Sequence, residues 1–524
     1  MKRWLLKRTK IDTAAMARDL GIRRATAAVL ANRELSSRQA ARSFLYGGTA
    51  ALGNPLEMKD FSQAVSLLAE AIRAGKRIAV YGDYDVDGVM STSILYQTIL
   101  RCGGNAVFYL PHRQKEGYGL NLRAVEQLAA EGIEVLFTCD NGIAALQEIA
   151  LAKEKGMTVV VLDHHEPGFR GEGEERRDIL PAADAIIDPK QRACPYPFKQ
   201  MCAGGLSYYF AHHLLQIFEI TDEWMERQLL TFAGIATVCD IVDLLGENRA
   251  LVQMGLAEIR KTENIGLRVL IEEAGLSDKV ISEYHIGFII GPCINATGRL
   301  ESGRLAVELF CTQDEKEARE KARHLVMLNA ERKQLTEEAA ERADIALQKG
   351  GALQDRVLVL YDAEIHESIA GIVAGRIKDK YYRPTILITD SEDGAKGSGR
   401  SIEGYHLFEA LFANRDLFTR FGGHAMAAGL SLPVENIPVL RRRLNEGCTL
   451  TEEQMIPILR LEDALSFAEI DLGLAKELQT LAPFGKGNPA PLFASKGIHA
   501  DRVDLIGKNK DILRLTLSEP ENGI

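Results

Sequence analysis

The chain has 524 residues, of which 46% are hydrophobic and 26% are charged, a composition typical of a soluble protein with about three domains. No apolar run reaches the ~20 residues of a membrane span, and the basic start lacks the apolar core of a signal peptide, so a cytoplasmic location is expected. The formal net charge of −10 argues against a protein that coats duplex DNA through its overall field. The eight cysteines include no CxxC pair, which argues against a zinc ribbon and a disulfide framework.

The first half of the chain is predicted to form a helical lead-in followed by an α/β domain. Residues 1–55 have helical patterning that ends near Gly53 and Pro55. Residues 56–311 alternate short apolar runs with helical segments, which is typical of a mostly parallel sheet. The strands are predicted at the runs KRIAVYG, NAVFYL, EVLFTCD, MTVVVLDHH and DAIIDP.

The second half is predicted to contain a connecting helix, a second α/β domain and a β segment. Residues 312–350 are almost without Gly and Pro and carry apolar residues on one face, which predicts one long amphipathic helix or two in series. Residues 351–450 contain the strands RVLVLYD and RPTILITD, with Gly-rich turns predicted near 394–399 and 422–423. Residues 451–524 combine Pro and Gly with alternating strands, which predicts a small β domain.

Acidic and histidine side chains follow three predicted strands of the first α/β domain at the point where each strand ends. GDYDVDG follows the first strand, CDNG the third and DHHE the fourth, and a further cluster, TVCDIVDL, follows a helical segment. Because the carboxyl ends of parallel strands lie at one edge of a sheet, these side chains are expected to converge. The predicted cluster consists of Asp85, Asp87, Asp140, His164, His165 and Asp240.

Packed carboxylates repel one another unless cations lie among them, so the cluster predicts a metal site. Mixed Asp and His ligands suit manganese or a similar transition ion better than calcium, and five or six of them suffice for two ions ~3.5–4 Å apart, the spacing used for attack on phosphate esters. Asp83 and Asp163 are predicted to orient the ligands, and Asp243 is predicted to be structural. Taken singly, the DxDG pattern is also typical of a calcium loop, CDNG of a turn and DHH of a helix cap.

The motifs resemble those of the DHH phosphoesterase superfamily, which is named after the run Asp163-His164-His165. Within it, the order YGDYDVDG, TCDNGI, LDHHE, CAGGLSYYFA, ATVCDIVDL and GPCINATGRL resembles the RecJ family of exonucleases. GSGRS and FGGHAMAAGL resemble its DHH-associated domain, and LAPFGKGNPAPLF resembles the segment that leads into its OB-fold. This resemblance covers almost the whole chain. It implies a DHH-type parallel sheet domain, a long connecting helix, a second α/β DHH-associated domain and a C-terminal partial OB-fold.

The resemblance also implies an activity, cofactors and partners. The implied enzyme is a single-stranded-DNA-specific exonuclease that works 5′→3′, releases 5′-mononucleotides and serves DNA recombination and repair. The implied cofactors are two divalent metal ions, usually Mn²⁺ with Mg²⁺ as the alternative, held by the six residues of the predicted cluster. The implied partners are single-stranded DNA, a helicase and a single-strand-binding protein, and the simplest assembly is a monomer. Phosphate and strand contacts are assigned to Arg113, Arg299, Ser398, Arg400 and His424.

The residue types of these contacts suit the task on chemical grounds. Arginine presents a rigid fork of donors to phosphate oxygens. Gly422 and Gly423 let backbone amides approach an anion. The alternatives stay open: Arg113 and Arg299 as structural ion-pair partners, GSGRS as a plain turn, and His424 as a buried core histidine.

The chain departs from the family pattern in three places. Ile365 precedes His366 where the family usually has a tryptophan, which affects a packing contact. Asp511 follows Lys510 where the family usually has a Lys-His-Leu turn, and an acid there would weaken a phosphate contact. The sequence stops at LSEPENGI, early for a whole OB-fold, so an incomplete barrel with weaker strand binding or lower processivity is expected.

Two other functions remain open on the sequence. The first is another DHH enzyme, such as an oligoribonucleotide or cyclic-dinucleotide phosphodiesterase or an inorganic pyrophosphatase, although such proteins are generally shorter and lack the extended middle. The second is a non-catalytic DNA-binding or replication scaffold. The full set of predicted ligands argues against the scaffold, since repelling acids have no evident purpose in a site that holds no cation.

Overall fold

The computed structural model describes residues 2–113, 115–171, 176–349, 351–391, 394–507 and 510–519. Its elements fall into a lead-in, two α/β domains joined by one helix, and a C-terminal segment. Among the described helices, none is both long and apolar enough to cross a membrane.

The lead-in begins with a short strand and continues with three helices. The elements are β1 (Arg3–Leu6), α1 (Thr13–Leu20), α2 (Arg24–Asn32) and α3 (Arg38–Tyr46). The helices agree with the predicted helical patterning, but the strand was not predicted. It forms because a distant segment of the chain supplies its hydrogen-bonding partner, as described below.

The first α/β domain is built on a five-stranded parallel sheet, which confirms the predicted architecture. Its elements are α4 (Phe61–Arg73), β2 (Arg77–Tyr81), α5 (Val86–Arg101), β3 (Asn105–Tyr109), α6 (Leu122–Ala130), β4 (Val135–Cys139), α7 (Leu146–Glu154), β5 (Thr158–Leu162), β6 (Gly168–Arg170), β7 (Arg177–Ile179), β8 (Ala185–Ile187), α8 (Ala203–Ile217), α9 (Glu223–Cys239), α10 (Gly246–Glu258), α11 (Ile265–Glu273), α12 (Glu283–His285), α13 (Gly291–Leu300) and α14 (Arg304–Cys311). The strand order is β3-β2-β4-β5-β8, with every neighbouring pair parallel. All five predicted strands belong to this sheet.

The sheet is buried on both faces, as parallel sheets usually are. One face packs on α4, α5, α8 and α9 in a core that includes Val80, Phe137 and Phe210. The opposite face packs on α6 and α7 in a smaller core that includes Leu136 and Val161. A π-helical stretch, Ile286–Ile290, joins α12 to α13, so that residues 283–300 run as one continuous helix.

A single 35-residue helix, α15 (Glu315–Lys349), joins the two α/β domains. Of the two predicted alternatives, the structure therefore shows one helix. Its first half packs into the core of the first domain through Ala318, Ala322 and Leu325. Its second half packs into the second domain through Ala339, Ala343 and Leu347. Each end of the helix is thus fixed in a different core.

The second α/β domain has a five-stranded mixed sheet with the order β12-β13-β11-β10-β9. Its elements are β9 (Leu358–Tyr361), α16 (Glu367–Tyr381), β10 (Thr385–Ser391), β11 (Gly394–Arg400), α17 (Leu407–Phe412), β12 (Arg420–Gly423), β13 (Ala427–Leu432) and α18 (Ile437–Glu446). Strands β9 and β10 are parallel, and the remaining neighbours are antiparallel.

The Gly-rich turns predicted in this domain were wrong. Residues 394–399 lie in the sheet's central strand, β11, and residues 422–423 are the last two of β12. The glycines of β11 are needed for packing and not for turning. A Cβ on Gly397 would lie 2.8 Å from Leu430 Cδ1, and one on Gly399 would lie 2.6 Å from Leu407 Cδ2. The missing side chains therefore let neighbouring residues pack directly over the strand.

The C-terminal segment contains short strands and a two-stranded hairpin. Its elements are β14 (Ile458–Leu461), β15 (Asp463–Ala464), α19 (Leu472–Leu478), β16 (Phe493–Ala494), β17 (His499–Ile506) and β18 (Ile512–Ser518). Strand β14 pairs in parallel with β1, and β17 pairs antiparallel with β18. The lead-in and this segment also share a core, in which Leu30 and Phe44 pack with Leu481.

A buried arginine from the first domain fixes that shared core in place. The side chain of Arg249 on α10 is only 2% exposed, and its guanidinium lies over the ring of Phe44 at 3.9 Å. It donates hydrogen bonds to the carbonyl of Phe44 at 2.8 Å and to four consecutive carbonyls at positions 480–483. Burial lowers its pKa to about 10, with a further contribution from the charge of Arg33. One side chain therefore joins the first domain, the lead-in and the C-terminal segment.

Candidate active site

The predicted cluster lies at one edge of the parallel sheet, where β2, β4 and β5 are neighbours. The loop after β2 carries Asp83 and Asp85, and Asp87 lies in the first turn of α5. Asp140 follows β4, and the pair His164 and His165 follows β5 one residue on. Adjacent parallel strands that end at one edge thus bring together residues that are far apart in the chain.

Asp85 and Asp87 are held by two different helix starts. Asp85 is the N-cap of α5, and its carboxylate accepts a hydrogen bond from Gly88 N at 3.1 Å. Asp87 is buried and accepts from the amides of Ala203 and Gly204, at 2.9 and 2.7 Å, at the start of α8. A Cβ on Gly204 would lie 2.3 Å from the Cβ of Ala236, so only glycine lets α8 approach this closely. Such amide donors fix where the carboxylate points.

Asp140 adopts a left-handed backbone conformation, with φ of 63°. Asp and Asn are among the few residues that occupy this region with little strain. The conformation directs its carboxylate to His164, whose Nε2 lies 3.2 Å from Asp140 Oδ1 and 3.5 Å from Asp87 Oδ2. Asp240, the C-cap of α9, completes the arrangement with Oδ2 3.8 Å from His164 Nδ1. His164 therefore lies among three carboxylates.

Asp163 orients both histidines and the loop after β4. Its Oδ1 accepts from the amide of His164 at 2.8 Å and lies 2.7 Å from His165 Nδ1. Its Oδ2 accepts from Ile143 N at 2.9 Å. Burial alone would raise the pKa of Asp163, but the hydrogen bond from His165, the charges of both histidines and the amide of Ile143 together lower this pKa to about 2. Burial alone would lower the pKa of His165, but this hydrogen bond and the charges of Asp163, Asp240 and Asp87 together raise it to about 9. When a metal ion displaces the second proton, Nδ1–H stays bonded to Asp163 and Nε2 of His165 would be the nitrogen that binds the ion.

The electrostatics of the cluster suit bound cations. Burial and the charge of Asp85 raise the pKa of Asp87 to about 7, and burial with Asp87 raises that of Asp240 to about 8. Burial raises the pKa of Asp83 and Asp140 as well. Both carboxylate oxygens of Asp83 are buried without a hydrogen-bond partner. A divalent cation among these carboxylates would offset their repulsion.

Among the residues that the structure describes, three groups of donor atoms are close enough to hold an ion, with all atoms of a group within 4.8 Å of one another. The groups are Asp140 with His164 and His165, Asp87 with Cys202 and Asp240, and Asp83 with Asp85 and Asp140. The six predicted ligands are thus brought together. Asp83 lies beside them, as does the thiol of Cys202, whose pKa burial holds well above its usual range. A thiol that stays protonated is a poor metal ligand.

A groove of about 490 Å³ separates the cluster from the second domain. Four of the five predicted phosphate-binding residues line it: Arg113, Arg299, Ser398 and Arg400. Arg299 donates a hydrogen bond to the carbonyl of Ser368 across the domain boundary, and Arg400 donates to Ser398 Oγ at 3.1 Å. Burial and the nearby charge of Arg113 lower the pKa of Arg299 to about 10. We call this cavity the cationic groove.

The structure leaves His424 outside the residues that line the cationic groove. It lies exposed just after β12, where its amide donates to the carbonyl of Ala427 at 2.8 Å. The prediction of a strand contact there gains no support from geometry. The alternative of a buried core histidine is wrong, since the residue is exposed.

The departures from the family pattern have simple structural consequences. Ile365 is buried in the core between α15 and α16, so it fills a packing position. His366 caps α16 and accepts from Ser368 N. Lys510 and Asp511 lie exposed in the connection between β17 and β18.

Asp243, predicted as structural, lies 3.6 Å from Lys486 Nζ, and its carbonyl accepts a hydrogen bond from the side chain of Asn248.

Sequence reasoning missed Tyr118, which contacts the cluster, and Asp188, whose carboxyl is affected by the charge of Asp163. Tyr118 donates to the Asp140 carbonyl at 2.9 Å, lies 3.1 Å from His165 Nε2, and lines the cationic groove. Asp188 is fully buried after β8, and burial together with the charge of Asp163 raises its pKa to about 8. The strand end of DAIIDP is the signal that would have found Asp188. No local pattern marks Tyr118, whose role depends on how its loop folds back over β4.

The chain resembles known proteins both in its domains and in its sequence. The DHH family, N-terminal domain, matches residues 77–237, the DHHA1 domain matches 354–449, and the RecJ OB domain matches 461–524. The chain is 38% identical over 520 residues to the single-stranded-DNA-specific exonuclease RecJ of Bacillus subtilis, covering 98% of this chain and 64% of that protein. It is 33% identical to the RecJ of Haemophilus influenzae, covering 90% of this chain and 83% of that protein.

A solved structure agrees with the fold over the whole chain. The crystal structure of RecJ in complex with Mn²⁺ from Thermus thermophilus superposes with a TM-score of 0.81 and 27% identity, covering 100% of this chain and 75% of that one. The chain spans 64% of the Bacillus subtilis relative, which is less than two thirds of its length. On identity, coverage and domain order together, the chain belongs to the RecJ family of single-stranded-DNA-specific exonucleases within the DHH proteins.

Proposed function

We propose that the protein is a single-stranded-DNA-specific exonuclease that hydrolyses phosphodiester bonds 5′→3′, releases 5′-mononucleotides with two divalent metal ions, and acts in DNA recombination and repair. One observation carries the proposal: the carboxylate cluster and the cationic groove meet. Tyr84 lies between Asp83 and Asp85 in the chain and lines the groove, and Tyr118 contacts Asp140 and lines it too. A phosphate held by the arginines would therefore lie beside the cluster.

The proposed ligands of the two ions are the six residues of the predicted cluster, Asp85, Asp87, Asp140, His164, His165 and Asp240. Manganese is favoured over magnesium because two ligands are imidazoles. When bound, such ions lower the pKa of water and neutralise charge that develops on a phosphate ester. Asp163, with its contacts to both histidines, supports the ligands, and Asp83 adds its charge beside Asp140.

Hydrogen bonds within the protein orient the proposed ligands. The two amides at the start of α8 fix Asp87, and Asp163 fixes the ring of His165 through Nδ1. Each planar guanidinium group of the cationic groove can donate hydrogen bonds to two oxygens of one phosphate. A terminal phosphate carries up to two negative charges and an internal phosphodiester carries one, so the groove favours a phosphorylated end. We therefore propose that it holds the 5′-phosphate.

The family resemblance supports a helicase and a single-strand-binding protein as partners of a monomeric nuclease.

Manganese is expected to stabilise the folded protein. An ion that binds the folded chain and not the unfolded one adds about 2.7 kcal/mol at a concentration 100 times its Kd. Thermal unfolding should therefore shift to higher temperature with Mn²⁺ and return with EDTA. Because the donors include imidazoles, Ca²⁺ at the same concentration is expected to give a smaller shift. An equal shift with Ca²⁺ would contradict the assigned ligand set.

A glycine pair on α16 provides a test of the cationic groove that changes no charged residue. A Cβ on Gly371 would lie 2.6 Å from Arg400 Nη2 and 2.8 Å from Ser398 Oγ, so Gly371→Ala must displace both groups. Loss of one or two hydrogen bonds to a charged phosphate predicts a fall in kcat/KM of roughly 10- to 100-fold on 5′-phosphorylated strands.

The matched control is Gly375→Ala, one turn later on the same helix. A Cβ there meets nothing within 4 Å outside the helix, so activity should stay at the original level. Replacing glycine by alanine within a helix should stabilise the helix by roughly 0.5–1 kcal/mol in both variants. A fall in activity that only Gly371→Ala shows would therefore reflect weaker binding and not a less stable fold. Equal activity of the two variants would show that the groove does not hold the substrate.

The function itself is tested by offering matched substrates with Mn²⁺. They are single-stranded DNA labelled at either end, with or without a 5′-phosphate, blunt duplex, short RNA, a cyclic dinucleotide and pyrophosphate. Release of mononucleotides from the 5′ end of single-stranded DNA, faster with the 5′-phosphate, is expected. Turnover only of short RNA or dinucleotides would instead support another DHH phosphodiesterase. Binding of single strands without cleavage would support the scaffold.

A further inference from the structure

A groove of about 630 Å³ lies along one edge of the sheet in the second α/β domain. Strand β9 is the last strand in the sheet order, so within the described part of the chain it pairs only with β10. Helix α18 forms the opposite wall of the groove. We call it the edge groove and define it by Val359, Tyr361, Ile437, Pro438, Arg442 and Asn445. None of these six residues lines the cationic groove.

The outer edge of β9 presents backbone groups that a further strand could pair with. The amides of Leu358 and Asp362 donate hydrogen bonds to carbonyls on the β10 side, at 2.8 and 3.0 Å. Because successive residues of a strand direct their N–H and C=O groups to opposite edges, Val359 and Tyr361 direct theirs toward the edge groove. The strand reads Leu-Val-Leu-Tyr, without the charge or proline by which edge strands usually avoid such pairing.

At one end of the edge groove, the side chain of Asn445 on α18 takes the place of a neighbouring strand. Its Oδ1 accepts a hydrogen bond from Val357 N at 3.0 Å, and its Nδ2 donates one to Val357 O at 2.9 Å. Val357 lies two residues before Val359, so its backbone groups point to the same edge. A side-chain amide carries the same donor and acceptor as a peptide group. Within the described residues, the edge is therefore paired with an amide at Val357 and open at Val359 and Tyr361.

Helix α18 gives the edge groove an apolar wall and a cation that is available to a partner. Of its three consecutive arginines, Arg441 and Arg443 each form an ion pair with an aspartate, at 2.6 and 2.8 Å. The side chain of Arg442 between them is 66% exposed, and its Nε lies 4.0 Å from Glu446, at the limit of an ion pair. The same wall presents the apolar side chain of Ile437. These groups suit a ligand that carries both an apolar and an acidic side chain.

We propose that the edge groove binds an extended peptide segment of a partner protein, which adds to β9 as a sixth strand of the sheet. The backbone of the peptide pairs with Val359 and Tyr361, an apolar side chain packs against Ile437, and an acidic side chain pairs with Arg442. Addition of a strand to a sheet edge is a recurring mode of peptide recognition, in which the backbone supplies affinity and the side chains supply specificity. The inference goes beyond the proposed function and does not depend on it.

The edge groove and the cationic groove lie on opposite faces of the sheet. Helix α18 packs with Val359 in one core, whereas α16, which lines the cationic groove, packs with Leu358 in the other. Leu358 and Val359 are consecutive in β9, so their side chains point to opposite faces. A peptide in the edge groove therefore leaves the cationic groove open, and the partner can hold the protein without blocking its substrate.

The test uses displayed random peptides of ~10 residues, the upper length of a typical strand, selected on the full chain. Enriched peptides are then labelled, and their affinity is measured by fluorescence anisotropy with two variants of one residue. Tyr361→Pro removes the N–H that faces the groove and keeps the pairing with β10, as proline does on edge strands. Tyr361→Thr keeps that N–H. We expect at least about 10-fold weaker binding with proline, because a hydrogen bond is lost and the ring obstructs pairing, and a change within about 3-fold with threonine.

A charge reversal tests the side-chain contact separately. Arg442→Glu is expected to weaken binding of peptides that carry an acidic residue roughly 10-fold, and a lysine at that position of the peptide should restore it. Cleavage of single-stranded DNA should be the same in all three variants, whatever the rate of the unaltered chain. Absence of enriched peptides, or equal affinity for the original chain and Tyr361→Pro, would overturn the inference. A dimer seen by light scattering that Tyr361→Pro dissociates would also overturn it, since the edge would then belong to a second copy of the chain.

Discussion

Asp140→Asn is expected to abolish cleavage while leaving the fold intact. The substitution keeps the shape of the side chain but removes the charge from a group that lies 3.2 Å from His164 and belongs to two of the three donor groups. Loss of an outer partner of a metal ligand typically costs 10- to 100-fold in activity or metal affinity. Loss of a proposed ligand that belongs to two donor groups should cost more, at least about 10³-fold in kcat.

Asparagine is the right replacement because the backbone of Asp140 has φ of 63°. Asn tolerates this region, whereas alanine there would cost roughly 1–2 kcal/mol and would confuse strain with loss of chemistry. The measurement is kcat with Mn²⁺ on single-stranded DNA, with circular dichroism as the check on folding. The thermal shift caused by Mn²⁺ should also shrink. Activity within about 10-fold of the original would remove Asp140 from the ligand set.

Arg249→Met is expected to produce the largest loss of stability of any single substitution considered. Methionine fills a similar volume, but five carbonyls, three of them in buried hydrogen bonds, lose their charged donor. Hydrogen bonds to charged groups contribute about 1.5–3 kcal/mol each, and buried acceptors left unsatisfied add their own cost. Because water and neighbours will satisfy some of them, we expect a net loss of roughly 3–5 kcal/mol in the free energy of unfolding.

The Arg249→Met substitution should also change which part of the protein unfolds first. The lead-in and the C-terminal segment should detach before the two α/β domains unfold, so limited proteolysis should cut within residues 1–55 and 461–495 first. Arg42→Met is the matched control, since Arg42 lies exposed on α3 two residues before Phe44. Arg249→Lys should restore only part of the stability, because an ammonium group lacks the planar fork. Equal urea midpoints for Arg249→Met and Arg42→Met would contradict this account.

The sequence predicts the catalytic edge of the first domain well because the rule behind it is local. An apolar run that ends in Asp or His places that side chain at a strand end, and parallel strands share an edge. Asp85, Asp140 and His164 are found together for this reason. The long helix α15 was predicted for a similar reason, since a run without Gly or Pro shows its period directly.

What the sequence could not show depends on contacts between distant segments. Glycines in β11 look like turn residues, but they form a strand because Leu407 and Leu430 pack where side chains would be. The amides that hold Asp87 come from a helix more than 100 residues away, and amides have no sequence signature. Strand β1 exists only because β14 pairs with it. In each case the partner decides the local structure, and the partner is not visible locally.

The fixed ends of helix α15 limit where this chain can accept inserted or deleted residues. Both of its ends are embedded in cores, and the cationic groove is assembled from residues on either side of it. Each residue inserted into this helix would move the second domain by about 1.5 Å and turn it by about 100° relative to the first. Surface loops accept such changes, but here a single insertion would carry Ser398 and Arg400 away from Arg113. The number of residues in the helix is thus as closely constrained as the identity of the carboxylates.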